Sequence, residues 1–152
     1  CHQIGGCADS DPQARWLRHD LKAHPRKCVL AYWHRPRFSS GPHGNDRDLD
    51  ALWRILAGAR ADVVLAGHDH DYERFTPMNA DGEADPEGVM QFVAGTGGRS
   101  HYKFRNPKPT SKVGITGRHG VLRLQLTEQA YAWEFTAAPR GEVLDSGNGQ
   151  CH

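Results

Sequence analysis

Two short apolar runs constrain this chain more than any other feature. Cys28-Val-Leu-Ala-Tyr-Trp33 and Val63-Val-Leu-Ala66 show no polar alternation. Continuous apolar character over so few residues is the pattern of a strand buried on both faces. Between them, Leu49, Leu52, Trp53 and Leu56 recur at spacings of three and four and mark an amphipathic helix over residues 46–57. Gly58 is placed to end that helix in the left-handed region. A strand, a helix and a strand form a βαβ unit, so the two strands should be parallel and the crossover right-handed. A second helix is expected over residues 11–23. Ser10-Asp11-Pro12-Gln13 resembles a capping box with proline near the first helical position, and Ala14, Leu17 and Leu21 continue at helical spacing.

The second half is patterned differently. A third strand is expected over residues 89–94. Residues 95–117 read as a long irregular stretch rich in Gly, Pro and Lys/Arg. Leu122, Leu124 and Leu126 then alternate with Arg123 and Gln125. After a turn at Thr127-Glu128-Gln129, Tyr131, Trp133 and Phe135 alternate with Ala132, Glu134 and Thr136. That is an antiparallel hairpin with one buried face. Val143-Leu144 is expected to add a short last strand. The fold class is therefore α/β, a mixed-sheet layer structure with a terminal antiparallel hairpin, in a single domain of 152 residues. Hydrophobic residues at 38% together with 17 glycines are normal for a globular chain and argue against wholesale disorder. The longest apolar runs fall far short of the ~20 residues that span a bilayer, so no membrane partner is expected. Nineteen Lys/Arg against 18 Asp/Glu give no global pull toward nucleic acid.

The chain opens on Cys-His-Gln, without an initiator Met or a signal-peptide pattern, and is expected to be a piece of a longer protein or a mature form. Its four cysteines, Cys1, Cys7, Cys28 and Cys151, include no CxxC pair. An even count without such a pair fits disulfides better than structural zinc, and three connectivities are possible. Cys1–Cys7 with Cys28–Cys151 is preferred: one tight loop, and one staple from the C-terminus to the sheet. The competing reading is four thiols, with Cys28 a small buried hydrophobe. Disulfides imply an oxidising compartment and a secreted, extracellular location.

Chemistry gathers at the strand ends. In open α/β sheets, ligands bind beyond the carboxyl ends of the parallel strands. Trp33-His34-Arg35-Pro36 follows the first buried strand and Gly67-His68-Asp69-His70 the second. Were residues 68–70 extended, His68 and His70 would share a side, with Cα atoms ~6.5 Å apart at ~3.3 Å per residue. They could then share one metal or reach two metals ~3.5–4 Å apart. Parallel neighbours would bring His34 into the same crevice. Three neutral imidazoles suit zinc, iron or manganese better than calcium or magnesium alone. A lone histidine after a strand is more often a surface residue, and it is the joint arrangement that points to metal.

Ala31-Tyr32-Trp33-His34 and Gly67-His68-Asp69-His70-Asp71-Tyr72-Glu73-Arg74 resemble the last two signature blocks of the calcineurin-like metallophosphoesterases. The second block has the form of the purple acid phosphatase-like branch. The resemblance covers residues 10–100. It implies a four-layer α/β/β/α sandwich and a phosphoric ester hydrolase with two metal ions, iron with zinc or manganese. By motif, His34 and His68 would bind one metal and His70 the other. The hairpin over residues 121–135 would belong to the second sheet. The departure is equally informative. The family places three earlier blocks before these, of Asp-x-Gly or Asp-x-His, Gly-Asp-x-x and Gly-Asn-His-Glu/Asp type, which supply the carboxylates, an Asn ligand and a catalytic histidine. None occurs ahead of them in this sequence, so residues 1–152 look like the C-terminal half of a single catalytic domain. The other half of the same protein is then an expected partner.

Further residues near the strand ends are candidates. His43, in the polar loop after His34, would contact phosphate or protonate the leaving group. Arg35 and Arg99 would pair with phosphate oxygens, although solvated arginines are the commoner case. Arg99 follows Gly95-Thr96-Gly97-Gly98, where close backbone approach is possible. Tyr72, Glu73 and Arg74 look like support for the histidine loop, and Asp69 and Asp71 would point away from the imidazoles if the segment is extended. Residues 88–127 hold no acidic residue and seven Lys/Arg, with Tyr102 and Phe104 among them. Such a stretch can hold single-stranded nucleic acid but is more often a solvated loop. The leading expectation is a secreted phosphomonoesterase acting on a small phosphorylated substrate. The alternatives are a phosphodiesterase or nucleotidase with the same metals, and a non-catalytic metal- or anion-binding fragment. Lacking the carboxylate blocks, the isolated chain is expected to be a poor catalyst, and its first sheet to have an open apolar edge.

Overall fold

The computed structural model describes residue 1 and residues 5–152. The elements, in chain order, are α1 (Pro12–Ala23), β1 (Leu30–Tyr32), a 3-10 turn (Arg47–Leu49) leading into α2 (Asp50–Gly58), β2 (Val63–Ala66), β3 (Tyr72–Phe75), β4 (Met90–Ala94), β5 (Ser111–Ile115), β6 (Gly120–Leu126), β7 (Ala130–Ala137) and β8 (Glu142–Gln150). One sheet has the order β1-β2-β4-β3-β5 and the other is the meander β6-β7-β8. β1, β2 and β4 run parallel, as the βαβ reading requires. β3 lies antiparallel between β4 and β5.

Three layers result. On one face of the five-stranded sheet, Trp53 and Leu56 of α2 pack with Val64, Phe75 and Val93, and Leu17 and Leu21 of α1 lean against the same cluster. On the other face, Val63, Tyr72, Met90 and Phe92 meet Tyr131, Trp133 and Phe135 of β7. The alternation read from the hairpin is thus the sheet-on-sheet contact, with every second residue of β7 buried. Among the described residues no helix covers the outer face of the second sheet, where Val121 and Val143 are exposed.

The two sheets are also tied by a polar lock. Asp145 of β8 accepts hydrogen bonds from Tyr72 Oη (2.6 Å), Arg74 Nε (2.7 Å) and Nη2 (3.0 Å), and Trp133 Nε1 (3.1 Å). Burial pushes the Asp145 carboxyl up, but the Arg74 and Tyr72 hydrogen bonds and the Arg74 charge outweigh it and leave it below the usual carboxylate range. Burial first, then Asp145, raises the Tyr72 hydroxyl. The disulfides are Cys1–Cys7 and Cys28–Cys151, the preferred pairing. The second staples the chain before β1 to the residue after β8. Beside it the buried Asp62 carboxylate accepts from the amides of Val29 (2.7 Å) and His152 (3.0 Å).

Several expectations need correction. The left-handed residue after α2 is Arg60, at φ 57°, while Gly58 is still helical. The stretch 95–117 contains β5, and residues 72–75 form β3. β8 has nine residues rather than a short pair. Glu73 and Arg74 hid β3, since two adjacent charged residues in a buried strand are stable only with distant partners, which Ser40 and Asp145 supply.

Candidate active site

Because β1 and β2 are parallel neighbours, their carboxyl ends lie side by side. The ladder continues past both strands, with Trp33 N–H donating to Leu65 (3.1 Å) and Gly67 N–H to His34 (3.0 Å). This brings His34 Nε2 to 3.0 Å from His68 Nδ1, with the two rings at 76°. His43 joins them, its ring centroid 4.2 Å from that of His68.

The segment after β2 is not extended. His68 sits at φ 67° and Asp69 N–H turns back to Gly67 O at 2.8 Å. A non-glycine residue held in the left-handed region stores of order 1 kcal/mol and tends to mark a functional site. The strand-parity argument for His68 and His70 therefore does not apply, and the turn aims each ring separately. His70 Nδ1 donates to Ser100 O at 2.8 Å, and its ring stacks on Tyr102 at 4.2 Å and 15°. His34, His68, His70, Gly97, Gly98 and Arg99 line a cavity of about 370 Å³. Of the candidate arginines, Arg99 borders this cavity, whereas Arg35 is largely exposed and lies 3.5 Å from Asp46.

The aspartates have structural work. Asp69 is fully buried; it accepts a hydrogen bond from Ser39 Oγ and one from the His43 amide (3.2 Å). It thereby holds the loop that carries His43. Glu73 does the same through the Ser40 amide at 2.9 Å. Gly95 is required here, since a Cβ would overlap the Asp69 carbonyl oxygen. Asp71 is fully buried, and among the described residues neither carboxylate oxygen has a hydrogen-bond partner. Burial, then the charges of Asp69 and Glu73, push its carboxyl up to about 7. Burial, then His43, Arg35 and His34, hold the His68 imidazole below its ordinary value. A neutral imidazole is the form that binds metal.

The donor set fits a metal in part. The two facing nitrogens of His34 and His68 are spaced as two ligands of one ion, since ligands at ~2.0–2.1 Å in tetrahedral geometry lie ~3.3 Å apart. His70, anchored at Nδ1, presents Nε2 alone. Among the described residues no group of three or more His, Cys, Asp or Glu side chains is arranged to hold a metal. Oxygen donors for a second metal are not among these side chains. Three contributors escaped the sequence reading of the site: Asp69 as the anchor of the His43 loop, and Ser100 and Tyr102 as the support of His70. Tyr102 stacks on His70 and Phe104 lies against Gly114, so both rings of the basic stretch are engaged within the protein.

No family model matches the chain. It is 36% identical over 145 residues to purple acid phosphatase 21 of Arabidopsis thaliana, covering 88% of this chain and 33% of that protein. It is 30% identical over 147 residues to probable purple acid phosphatase 20 of the same plant, covering 87% and 34%. The solved structure of purple acid phosphatase PPD1 from yellow lupin seeds superposes with a TM-score of 0.74 at 21% identity, covering 91% of this chain and 28% of that one. The chain thus spans about a third of the length of the curated relatives it matches. Over most of its length by sequence, and in its fold, this chain is similar to purple acid phosphatases.

Proposed function

We propose that this chain supplies the histidine side of a dinuclear site in a secreted, acid phosphatase-like phosphomonoesterase. The observation that carries the reading is the His34–His68 nitrogen pair at 3.0 Å, beside a cavity that His70 also lines. His34 and His68 would hold one metal and His70 the other, as iron with zinc or manganese. When bound, such metals act as Lewis acids toward the phosphoryl group and lower the pKa of a water. The chain's own residues do the rest. His43, anchored through its amide to Asp69, protonates the leaving oxygen. Arg99, and less directly the exposed Arg35, attract and orient the phosphate. Carboxylate ligands would come from the remainder of the parent protein. The two disulfides support a secreted location.

The lack of a complete ligand set among the described residues favours a second reading, a non-catalytic metal- or anion-binding segment. Turnover of p-nitrophenyl phosphate and of bis-p-nitrophenyl phosphate by the full natural protein separates the possibilities. Faster hydrolysis of the monoester supports the proposal. Preference for the diester makes the protein a phosphodiesterase, and metal binding without turnover of either supports the second reading.

A further inference from the structure

Of the histidines at the site, His70 is the one held by a distant loop. Its ring touches neither His34 nor His68 at hydrogen-bonding distance; it is gripped by residues 100–102. Ser100 O is a backbone carbonyl and can only accept, so at 2.8 Å it requires a proton on His70 Nδ1. A neutral ring then has its lone pair on Nε2. Tyr102 lies flat on the same ring at 4.2 Å and 15°, and Tyr102 N–H donates to His70 O at 3.0 Å. Backbone and ring of His70 are thus clamped by one three-residue segment. That segment is tied down beyond the clamp, where the amides of Arg105 (2.9 Å) and Lys108 (3.0 Å) bond to Ser40. Ser40 itself is held by Glu73.

We propose that Tyr102 is a positioning residue whose aromatic face, with the Ser100 carbonyl, holds His70 in a single ring orientation and a single tautomer with Nε2 free. The importance of that nitrogen rests on the reading of His70 as a ligand; the clamp itself does not. The torsion that spins an imidazole is broad and roughly two-fold, so one hydrogen bond at a partly open site leaves the flipped ring accessible. A flat neighbour removes that freedom, because a ring turned out of the stack loses its contact area. A histidine that binds metal through one nitrogen characteristically donates its other N–H to a carbonyl or carboxylate. Tyr102 also faces His43, with centroids 5.5 Å apart at 59°. Among the described residues the phenol oxygen has no hydrogen-bond partner, so the working part is the ring.

The test compares Tyr102→Phe, Tyr102→Leu and Tyr102→Ala in the full chain, by long-range proton–nitrogen NMR of His70 under mildly alkaline conditions. Wild type and Tyr102→Phe should show one tautomer, protonated at Nδ1. Tyr102→Leu, which keeps volume without a flat face, and Tyr102→Ala should show a mixture. Zinc alone, added as a probe to the full natural protein, where His70 has its other ligands, should bind its second equivalent about 10–100-fold more weakly in the Leu variant and within about twofold of wild type in the Phe variant. A single Nδ1-protonated form in the Leu variant, or zinc affinity lost without a tautomer change, overturns the proposal. The tautomer measurement needs no turnover. A protein that hydrolyses no phosphoester yet shows the expected tautomer change would contradict the proposed function and support the clamp.

Discussion

Asp71 is the costliest side chain near the site. It is fully buried, its oxygens have no partner among the described residues, and its carboxyl is raised to about 7. In the unfolded chain the same group titrates near 3.9. The folded state therefore holds its proton to higher pH than the unfolded state. It loses stability as pH rises from about 4 toward 7, and the penalty is fully present above 7. Asp71→Asn should stabilise the metal-free protein, with a gain that grows by roughly 2.5–3 kcal/mol between pH 5 and pH 8. Denaturant melts at the two pH values measure this, and a gain independent of pH would contradict it. The histidines at the strand ends were legible because buried parallel strands must deliver their next residues to one crevice. What supports them was not. Asp69, Ser100 and Tyr102 act on partners about 30 residues away, and the left-handed turn at His68 has no local signal such as glycine.

At the level of elements, β3 connects the histidine turn to the second sheet. Tyr72 and Arg74 leave the turn and both end on Asp145 of β8, where Arg74 also lies over the Trp133 ring at 4.9 Å. Both charged side chains of the pair are mostly buried. Asp145→Ala would leave Arg74 buried without its counter-charge and should cost about 3–5 kcal/mol in denaturant unfolding. A cost under about 1 kcal/mol would show that the lock is not needed. The same contacts explain what was hidden in the sequence. The apolar runs of β2 and β4 and the alternation of β7 are local patterns that buried faces impose. β3 and β5 carry charged or small residues whose strand conformation depends on pairing with each other and with β4. β8 reads as polar because its outward residues and two glycines dilute the signal, yet Gly147 and Gly149 lie under Trp133 and Tyr131, where a Cβ would collide with the rings.

The whole chain superposes on the fold of a purple acid phosphatase, and it spans about a third of the length of its curated relatives. β1 is the edge of the five-stranded sheet, and Tyr32 on it is 82% exposed. An open edge beside an exposed aromatic invites strand pairing or aggregation. Histidines alone give neither the oxygen donors nor the charge compensation that two metals ~3.5–4 Å apart require. The isolated 152 residues should therefore bind at most one metal with little turnover, beside a longer parent form assayed in parallel. Two tightly bound metals with parent-like turnover would place the carboxylates within this chain. The central claim, that these strand-end histidines ligate the metals of a phosphomonoesterase, is tested most directly by His68→Ala in the full natural protein. Metal content by elemental analysis and turnover of p-nitrophenyl phosphate are read together, with His19→Ala on the exposed face of α1 as control. The account predicts loss of at least one equivalent of metal and a fall in turnover of at least about a hundredfold for His68→Ala, with the control unchanged. Full metal content and wild-type turnover in His68→Ala would contradict it.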